Sequence, residues 1–130
     1  MWKEVLPINC PPASAKEEKV DVFRILKESN PSEDDFIPYA RLYSENPRYK
    51  TLCKAYAISF YDSIENAKNA WKDALTRGNN IGNYIGQFSL LEIHGKNEFK
   101  PKTGHYSTWF YTAWEFQNFN TSFVTAINEN

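Results

Sequence analysis

Nine aromatic residues lie within positions 99 to 123, and this block is almost free of charge. No Lys or Arg occurs after Lys102, and the only acidic residues beyond it are Glu115 and Glu129. Aromatic side chains carry large apolar areas, so such a block either builds the core or forms a contact surface. We predict that it forms a binding surface with four anchoring side chains: Trp109, Tyr111, Trp114 and Phe116.

The overall composition indicates one compact domain rather than a disordered chain. Of the 130 residues, 42% are hydrophobic and 16% aromatic, which is enough to build one core. We therefore predict a single domain over residues 1–130. The net charge of −1 provides no field that would attract nucleic acid or an anionic membrane. Base stacking on the aromatic block is disfavoured too, because that block lacks the basic residues that neutralise phosphates.

The N-terminal sequence favours a cytoplasmic location. The opening residues MWKEVLP lack the basic and then apolar pattern of a signal peptide, and no apolar run approaches the length of a bilayer span. We accordingly expect a cytoplasmic protein of a microbe, without a membrane role. Cys10 and Cys53 are expected to be reduced thiols, with Cys53 packed as a small hydrophobic residue.

Apolar periodicity predicts the secondary structure. Strands are predicted near residues 20–26, 55–61, 84–93 and 119–127, with a further one near 106–112. A helix is predicted over about 63–77, because Ile64, Ala67, Trp71 and Ala74 recur at helical spacing after the capping residues Asp62 or Ser63.

The segments between these elements complete the predicted fold. Residues 96–102 are expected to form a basic, flexible hairpin or loop, and residues 27–51 a long ordered loop whose aromatic residues pack onto the body. Phe119 and Phe123 are expected in the core. The predicted fold class is α+β, with a mostly antiparallel, twisted sheet of four to five strands and one main helix.

Metal-binding motifs are not recognisable in the sequence. It contains no Cys-x-x-Cys, no His-Glu-x-x-His and no acidic loop with calcium spacing. We expect no bound metal and no cofactor, with NAD as the one exception considered below.

Two short strings resemble a known enzyme superfamily. Val22-Phe23-Arg24, followed by Ala57-Ile58-Ser59-Phe60-Tyr61 running into Ile64-Glu-Asn-Ala67, is similar to the opening of ADP-ribosyltransferase-like folds. The resemblance covers about residues 20–93. It implies an enzyme or binding protein for NAD, in which Arg24 holds the pyrophosphate, Ser59 supports the nicotinamide end and Glu92 orients the ribose or the acceptor. The structural alternative is that all three are ordinary strand residues.

His105-Tyr106-Ser107 fits the H-x-[ST] element of two-histidine phosphoesterases. In those enzymes each histidine acts as an acid or base and each hydroxyl holds phosphate. The other histidine, His94, is not followed by a hydroxyl residue two positions later. The alternative is a turn in which His105 and Ser107 bond to backbone groups.

Taken together, these patterns favour a non-enzymatic interaction module whose partner is another protein or a second copy of the chain. An ADP-ribosyltransferase-like enzyme or NAD-binding protein is the alternative. A phosphoesterase or nuclease that depends on His105 and Ser107 is the second alternative.

Overall fold

The computed structural model describes residues 1–127, so the last three residues of the predicted single domain lie outside the described part. Within it the chain forms six strands: β1 (Val20–Leu26), β2 (Ile58–Tyr61), β3 (Tyr84–Leu90), β4 (Gly95–Lys100), β5 (His105–Phe110) and β6 (Thr121–Ala126). The α-helices are the single turn α1 (Tyr39–Leu42) and the long helix α2 (Ile64–Thr76). Short 3-10 helices cover Glu33–Phe36, Pro47–Tyr49, Cys53–Tyr56, Glu92–His94 and Phe116–Asn118.

All six strands belong to one antiparallel sheet with the order β4-β5-β2-β1-β3-β6. This confirms the predicted α+β class with one main helix. The sheet has one strand more than the upper predicted number of five, because residues 96–102, which were expected to form a flexible hairpin or loop, contribute a strand that pairs with β5. Most of that segment is the edge strand β4.

Strand β4 escaped prediction because its inward positions carry few apolar side chains. Asn97 is 2% exposed and accepts a hydrogen bond from the Thr108 hydroxyl at 2.8 Å. The Phe99 ring lies 4.5 Å from that of Tyr106. A buried polar pair with Thr108 therefore replaces the aliphatic alternation by which strands are usually recognised.

Helix α2 begins and ends close to the predicted positions. The Ser63 hydroxyl accepts a hydrogen bond from the backbone N–H of Asn66 at 3.0 Å, which identifies Ser63 as the N-cap. Trp71 on the buried face donates its indole N–H to the carbonyl of Gly82 at 2.7 Å. No helix in the part of the chain that the structure describes is long and apolar enough to cross a membrane.

The main core consists largely of aromatic side chains and lies on one face of the sheet. Phe36, from the long loop 27–51, is 2% exposed and sits at its centre. Its ring centroid lies between 5.3 and 6.2 Å from those of five other aromatic residues: Phe60, Phe88, Trp114, Phe116 and Phe119. Loop 27–51 is thus ordered, as predicted, because it supplies a central core residue.

Phe123 does not share the core with Phe119, although both were expected there. Phe119 is 5% exposed, whereas Phe123 is 39% exposed and its ring lies 6.4 Å from that of Phe23. The register between β3 and β6 shifts between Gln87 and Phe88, which breaks the simple alternation assumed from the sequence.

Cys10 and Cys53 form a disulfide, with their Cα atoms 5.5 Å apart. The prediction of two reduced thiols was therefore wrong. The N-terminal segment folds back along the sheet, and Lys16 forms an isolated bridge with Asn97 of β4. This return brings Cys10 next to the 3-10 helix that begins at Cys53, a contact that local sequence patterns do not reveal.

Candidate functional site

A group of polar side chains lies on the sheet face opposite the aromatic core, where strands β2, β5 and β4 adjoin. Antiparallel register places two rows of residues directly across these strands. Because paired residues in a sheet point to the same face, each row brings its side chains together. The rows are Tyr61–His105–Lys100 and Ser59–Ser107–Glu98.

His105 and Ser59 meet diagonally between these two rows. The His105 Nε2 atom lies 3.0 Å from the Ser59 Oγ atom, at hydrogen-bonding distance. Ser59 is exposed, whereas the neighbouring Ser107 is only 3% exposed. The Tyr61 ring packs edge-on against the imidazole with its centroid 5.3 Å away. Two residues that came from different sequence hypotheses therefore form one contact pair.

The turn at Gly104 positions the His105 side chain. Its φ of +69° lies in the left-handed region, and a Cβ atom there would collide with the side chains of Asp62 and Asn66. The Asp62 N–H donates to the Gly104 carbonyl at 2.9 Å, which closes β5 onto the end of β2. This close approach holds His105 beside β2.

Charged residues surround the pair. Lys54 Nζ lies 3.2 Å from Glu98 Oε1, and the Ser14 hydroxyl donates to Glu98 Oε2 at 2.9 Å. The hydrogen bond from Ser14 lowers the pKa of Glu98, and Lys54 contributes to the same shift. With Lys100 directly across from His105, the cluster carries two lysines and one carboxylate. We call Ser59, His105, Lys54, Lys100 and Glu98 the polar cluster.

Burial is the main reason that the pKa of His105 falls to about 4, and the charges of Lys54 and Lys100 lower it further. The imidazole is therefore neutral at pH 7, with one ring nitrogen available as a hydrogen-bond acceptor. Between pH 6.5 and about 4 the unfolded chain binds a proton here that the folded chain does not. The contribution of His105 to stability is accordingly present above pH 6.5 and declines as the pH falls through this window.

Arg24 lies on the other face of the sheet and is fully engaged in structural contacts. Its Nε and Nη2 atoms donate to the Asp35 carbonyl at 2.9 and 2.7 Å, and Nη1 donates to the Ser59 carbonyl at 2.7 Å. The guanidinium also lies over the rings of Phe36 and Phe60, at 5.4 and 6.0 Å. Burial lowers the pKa of Arg24 to about 10, so the side chain stays charged at pH 7.

The residues taken from the ADP-ribosyltransferase resemblance do not meet in one cleft. Arg24 contacts only the backbone of Ser59, whose hydroxyl points to the opposite face. Glu92 comes two residues after Leu90, which pairs with Val20. Val20 is separated from Arg24 by about 13 Å along β1. Glu92 itself is exposed and lies beyond the end of β3, at the Val20 end of β1. The structure therefore does not assemble the three side chains around a dinucleotide.

The two histidines also lie apart. His94 accepts the Leu91 N–H at Nδ1 at 2.9 Å, and its ring packs edge-on against Phe119 in the core. Burial lowers the pKa of His94 as well. The hydroxyl that reaches His105 belongs to Ser59 rather than to Ser107. The arrangement of two facing H-x-[ST] elements is therefore not formed.

The four predicted aromatic anchors lie mostly inside the fold. Trp109 and Trp114 are each 1% exposed, and the indole N–H of Trp109 donates to the Cys53 carbonyl at 3.1 Å. Phe116 is half-buried against the Phe36 ring. Tyr111 is also half-buried, and its hydroxyl donates to Glu17 at 2.6 Å. Most of this aromatic area is used for folding, which leaves little of it as a contact surface.

Exposed aromatic residues are concentrated instead on loop 27–51. Tyr39 and Tyr43 are 54% and 52% exposed, and their ring centroids are 5.6 Å apart. The Tyr49 ring lies 6.0 and 6.2 Å from them. The single helical turn α1 places Tyr39 and Tyr43 on the same side. We call these three residues the tyrosine cluster. The aromatic residues of loop 27–51 were predicted instead to pack onto the body of the protein.

Comparison with known proteins gives no assignment: no family, no curated protein and no solved structure matches this chain. Within residues 1–127 no group of three or more His, Cys, Asp or Glu side chains is placed to hold a metal ion. The candidate sites that the geometry provides are the polar cluster and the tyrosine cluster.

Arg24→Lys should lower the free energy of unfolding by about 2–3 kcal/mol, since hydrogen bonds to charged groups are worth about 1.5–3 kcal/mol each. A lysine cannot reproduce the planar set of donors that reaches both Asp35 and Ser59. Urea denaturation of the variant and of the exposed control Arg41→Lys would measure the difference. Equal stability of both variants would show that Arg24 does not hold loop 27–51 to β2.

Proposed function

We propose that the protein is an interaction module that binds another protein through the tyrosine cluster. The observation that supports this most strongly is the exposure of Tyr39 and Tyr43 beside Tyr49 on one loop. Tyrosine is among the residues that most often dominate binding energy, because it offers a large rigid area and a polar end. The partner is a protein with an acidic contact segment.

Charge supports an acidic partner. Arg41 is paired with Glu4 at 3.2 Å. The other charged residues of the range 39–50 are Arg48, Lys50 and Glu45, which leaves a local charge of +1 in a chain whose total is −1. Arg48 and Lys50 flank Tyr49. An acidic segment would meet opposite charge at the rim of the contact and aromatic rings at its centre.

The local shape also supports binding. Residues 42–46 line a shallow depression next to the tyrosine rings. Leu42 is 50% exposed and adds apolar area at its edge. The loop is anchored by Phe36 in the core and by Arg24 on the Asp35 carbonyl. A contact surface on an anchored loop needs little ordering when a partner binds.

The double variant Tyr39→Ser/Tyr43→Ser should weaken binding of the partner on the order of 100-fold, because two central aromatic anchors are lost. Proteins captured from the source cells by the wild-type chain would be identified and purified. Titration calorimetry would then give the dissociation constants of the wild type and the variant. Phe123→Ser, which removes an exposed aromatic residue elsewhere, should change the constant by less than about twofold.

Two results would overturn the proposal. One is a purified partner that binds the double variant as tightly as the wild type. The other is sedimentation showing that the wild type forms a dimer through these tyrosines and captures nothing else. The cytoplasmic location and the absence of nucleic-acid binding stay predictions, and disulfides are rare in cytosolic proteins.

A further inference from the structure

The Ser59–His105 pair has the geometry of a nucleophile with its general base. The two polar atoms are 3.0 Å apart, Ser59 is exposed to an incoming molecule, and the imidazole is held in place by Tyr61 and the turn at Gly104. A neutral histidine in contact with a serine hydroxyl can remove its proton when the oxygen attacks an electrophile. No contact of the tyrosine cluster is needed for this chemistry.

We propose that Ser59 and His105 form a catalytic pair that hydrolyses esters of short acyl groups bearing a carboxylate. The sheet register places Lys100 directly across from His105, and Lys54 and Glu98 lie beside them on the same face. Lys54 is paired with Glu98, whereas Lys100 is in neither of the two salt bridges formed by the described residues. Its ammonium group therefore favours a substrate with negative charge.

The reaction proceeds in two balanced halves. The Ser59 oxygen attacks the ester carbonyl carbon while His105 Nε2 takes the hydroxyl proton. The bond from the carbonyl carbon to the alcohol oxygen then breaks, and the alcohol leaves with the proton from His105. Water attacks the acylated Ser59 in the same way, with His105 again receiving and returning one proton. The products are one carboxylic acid and one alcohol.

The substrate carboxylate gives the lysines a specific role. Lys100 lies across from His105, and the row that contains both of them is next to the row that contains Ser59. A carboxylate a few bonds from the carbonyl carbon can therefore reach Lys100 while the carbonyl lies against Ser59. Lys54 is held by Glu98 at 3.2 Å and adds positive charge on the same side. Neutral esters would lack this attraction and react more slowly.

The pH dependence distinguishes this pair from an ordinary serine–histidine pair. Burial and, after it, the charges of Lys54 and Lys100 lower the pKa of His105. The imidazole therefore stays neutral well below pH 6. Glu98 and Tyr61 are the other titratable groups of the two rows around it, and the Asp62 carboxylate lies against Gly104, next to His105. We expect the rate to be nearly constant between pH 5.5 and 7.5, whereas a histidine with its usual pKa near 6.5 would lose most of its activity.

The test uses two chromogenic esters with the same leaving group and the same acyl length, mono-4-nitrophenyl adipate and 4-nitrophenyl hexanoate. The adipate chain is long enough that its carboxylate does not readily displace nitrophenol by forming a cyclic anhydride, and hydrolysis without protein is subtracted for both esters. The wild type should hydrolyse the adipate ester on the order of tenfold faster, and Lys100→Gln should remove most of that preference. Ser59→Ala and His105→Gln should each lower the rate by about 100-fold or more. Mass spectrometry after treatment with a fluorophosphonate should locate the covalent label on Ser59.

Ser89→Ala is the matched control. Ser89 is another strand serine, and its hydroxyl donates to Asp21 rather than contacting a histidine. This variant should keep the wild-type rate and label. Melting curves of Ser59→Ala should match those of the wild type, because the exposed hydroxyl contributes little to stability. The proposal is overturned if the wild type hydrolyses neither ester and takes no label at Ser59. Unchanged hydrolysis by Ser59→Ala would overturn it equally.

Discussion

Removing the Cys10–Cys53 disulfide should lower the free energy of unfolding by about 4 kcal/mol. The bridge joins residues that are 43 positions apart. In the chain-entropy description, closing a loop of that length restricts the unfolded chain by about this amount at 25 °C. For a domain of this size the melting temperature should fall on the order of 15 °C.

Thermal and urea unfolding of the wild type, with and without a reductant, would measure this effect. Cys10→Ala/Cys53→Ala should show the lowered stability without reductant and no further change when reductant is added. The chain contains only these two cysteines, so an effect of the reductant on the wild type is an effect on this bridge. A melting temperature that is insensitive to reductant would show that the bridge is not formed in solution.

The disulfide also bears on where the protein works. Cytosolic thiols are kept reduced in most organisms, whereas disulfides persist in oxidising compartments. The bridge ties the N-terminal segment to the 3-10 helix whose first carbonyl, that of Cys53, accepts the Trp109 indole N–H. Measuring the thiol content of protein isolated under acid quenching from its own cells would test the cytoplasmic prediction directly.

The elements that were predictable from sequence are those stabilised by neighbouring residues. Helix α2 has its cap, Ser63, and its buried face within fourteen consecutive residues, so its bounds were predicted within one residue. Strand β1 shows clear alternation within Val20–Leu26 and was predicted with the correct ends. In both cases the signal is local, and tertiary contacts strengthen what the sequence already favours.

The candidate site depended on contacts between distant segments and could be predicted only in part. Ser59 and His105 were both singled out, but for separate reasons, since 46 positions separate them. Their meeting requires that β5 insert between β2 and β4, and the segment that forms β4 was expected only to be a flexible hairpin or loop. Lys100 was therefore not recognised as a neighbour of His105. Strand order is a tertiary property that periodicity alone does not specify.

The same reasoning explains why the aromatic block was misjudged. Its high aromatic content predicted either a core or a surface, and the structure uses Trp109 and Trp114 for the core. The most exposed aromatic rings belong to Tyr39 and Tyr43, in a polar segment rich in prolines. Burial there is decided by which side of the loop faces the sheet, and Phe36 and Pro38 are buried on that side.

Phe36→Ala should therefore cost about 3–5 kcal/mol, the usual range for removing a fully buried phenylalanine. Phe36 is 2% exposed and its ring packs among five other aromatic rings, so the substitution leaves a cavity at the centre of the core. Because the total stability of a domain is about 5–15 kcal/mol, the variant would be close to unfolding at 37 °C.

Tyr39→Ala provides the matched control for Phe36→Ala, since both residues are aromatic and lie three positions apart on the same loop. Tyr39 is 54% exposed and should change stability by less than about 0.5 kcal/mol. Urea denaturation followed by far-ultraviolet circular dichroism would measure both variants. A large effect of Phe36→Ala with a small effect of Tyr39→Ala is expected if loop 27–51 has one face in the core and the other available for binding. Similar effects of the two would mean that the tyrosine cluster is part of the folded core, which would contradict its role as a contact surface.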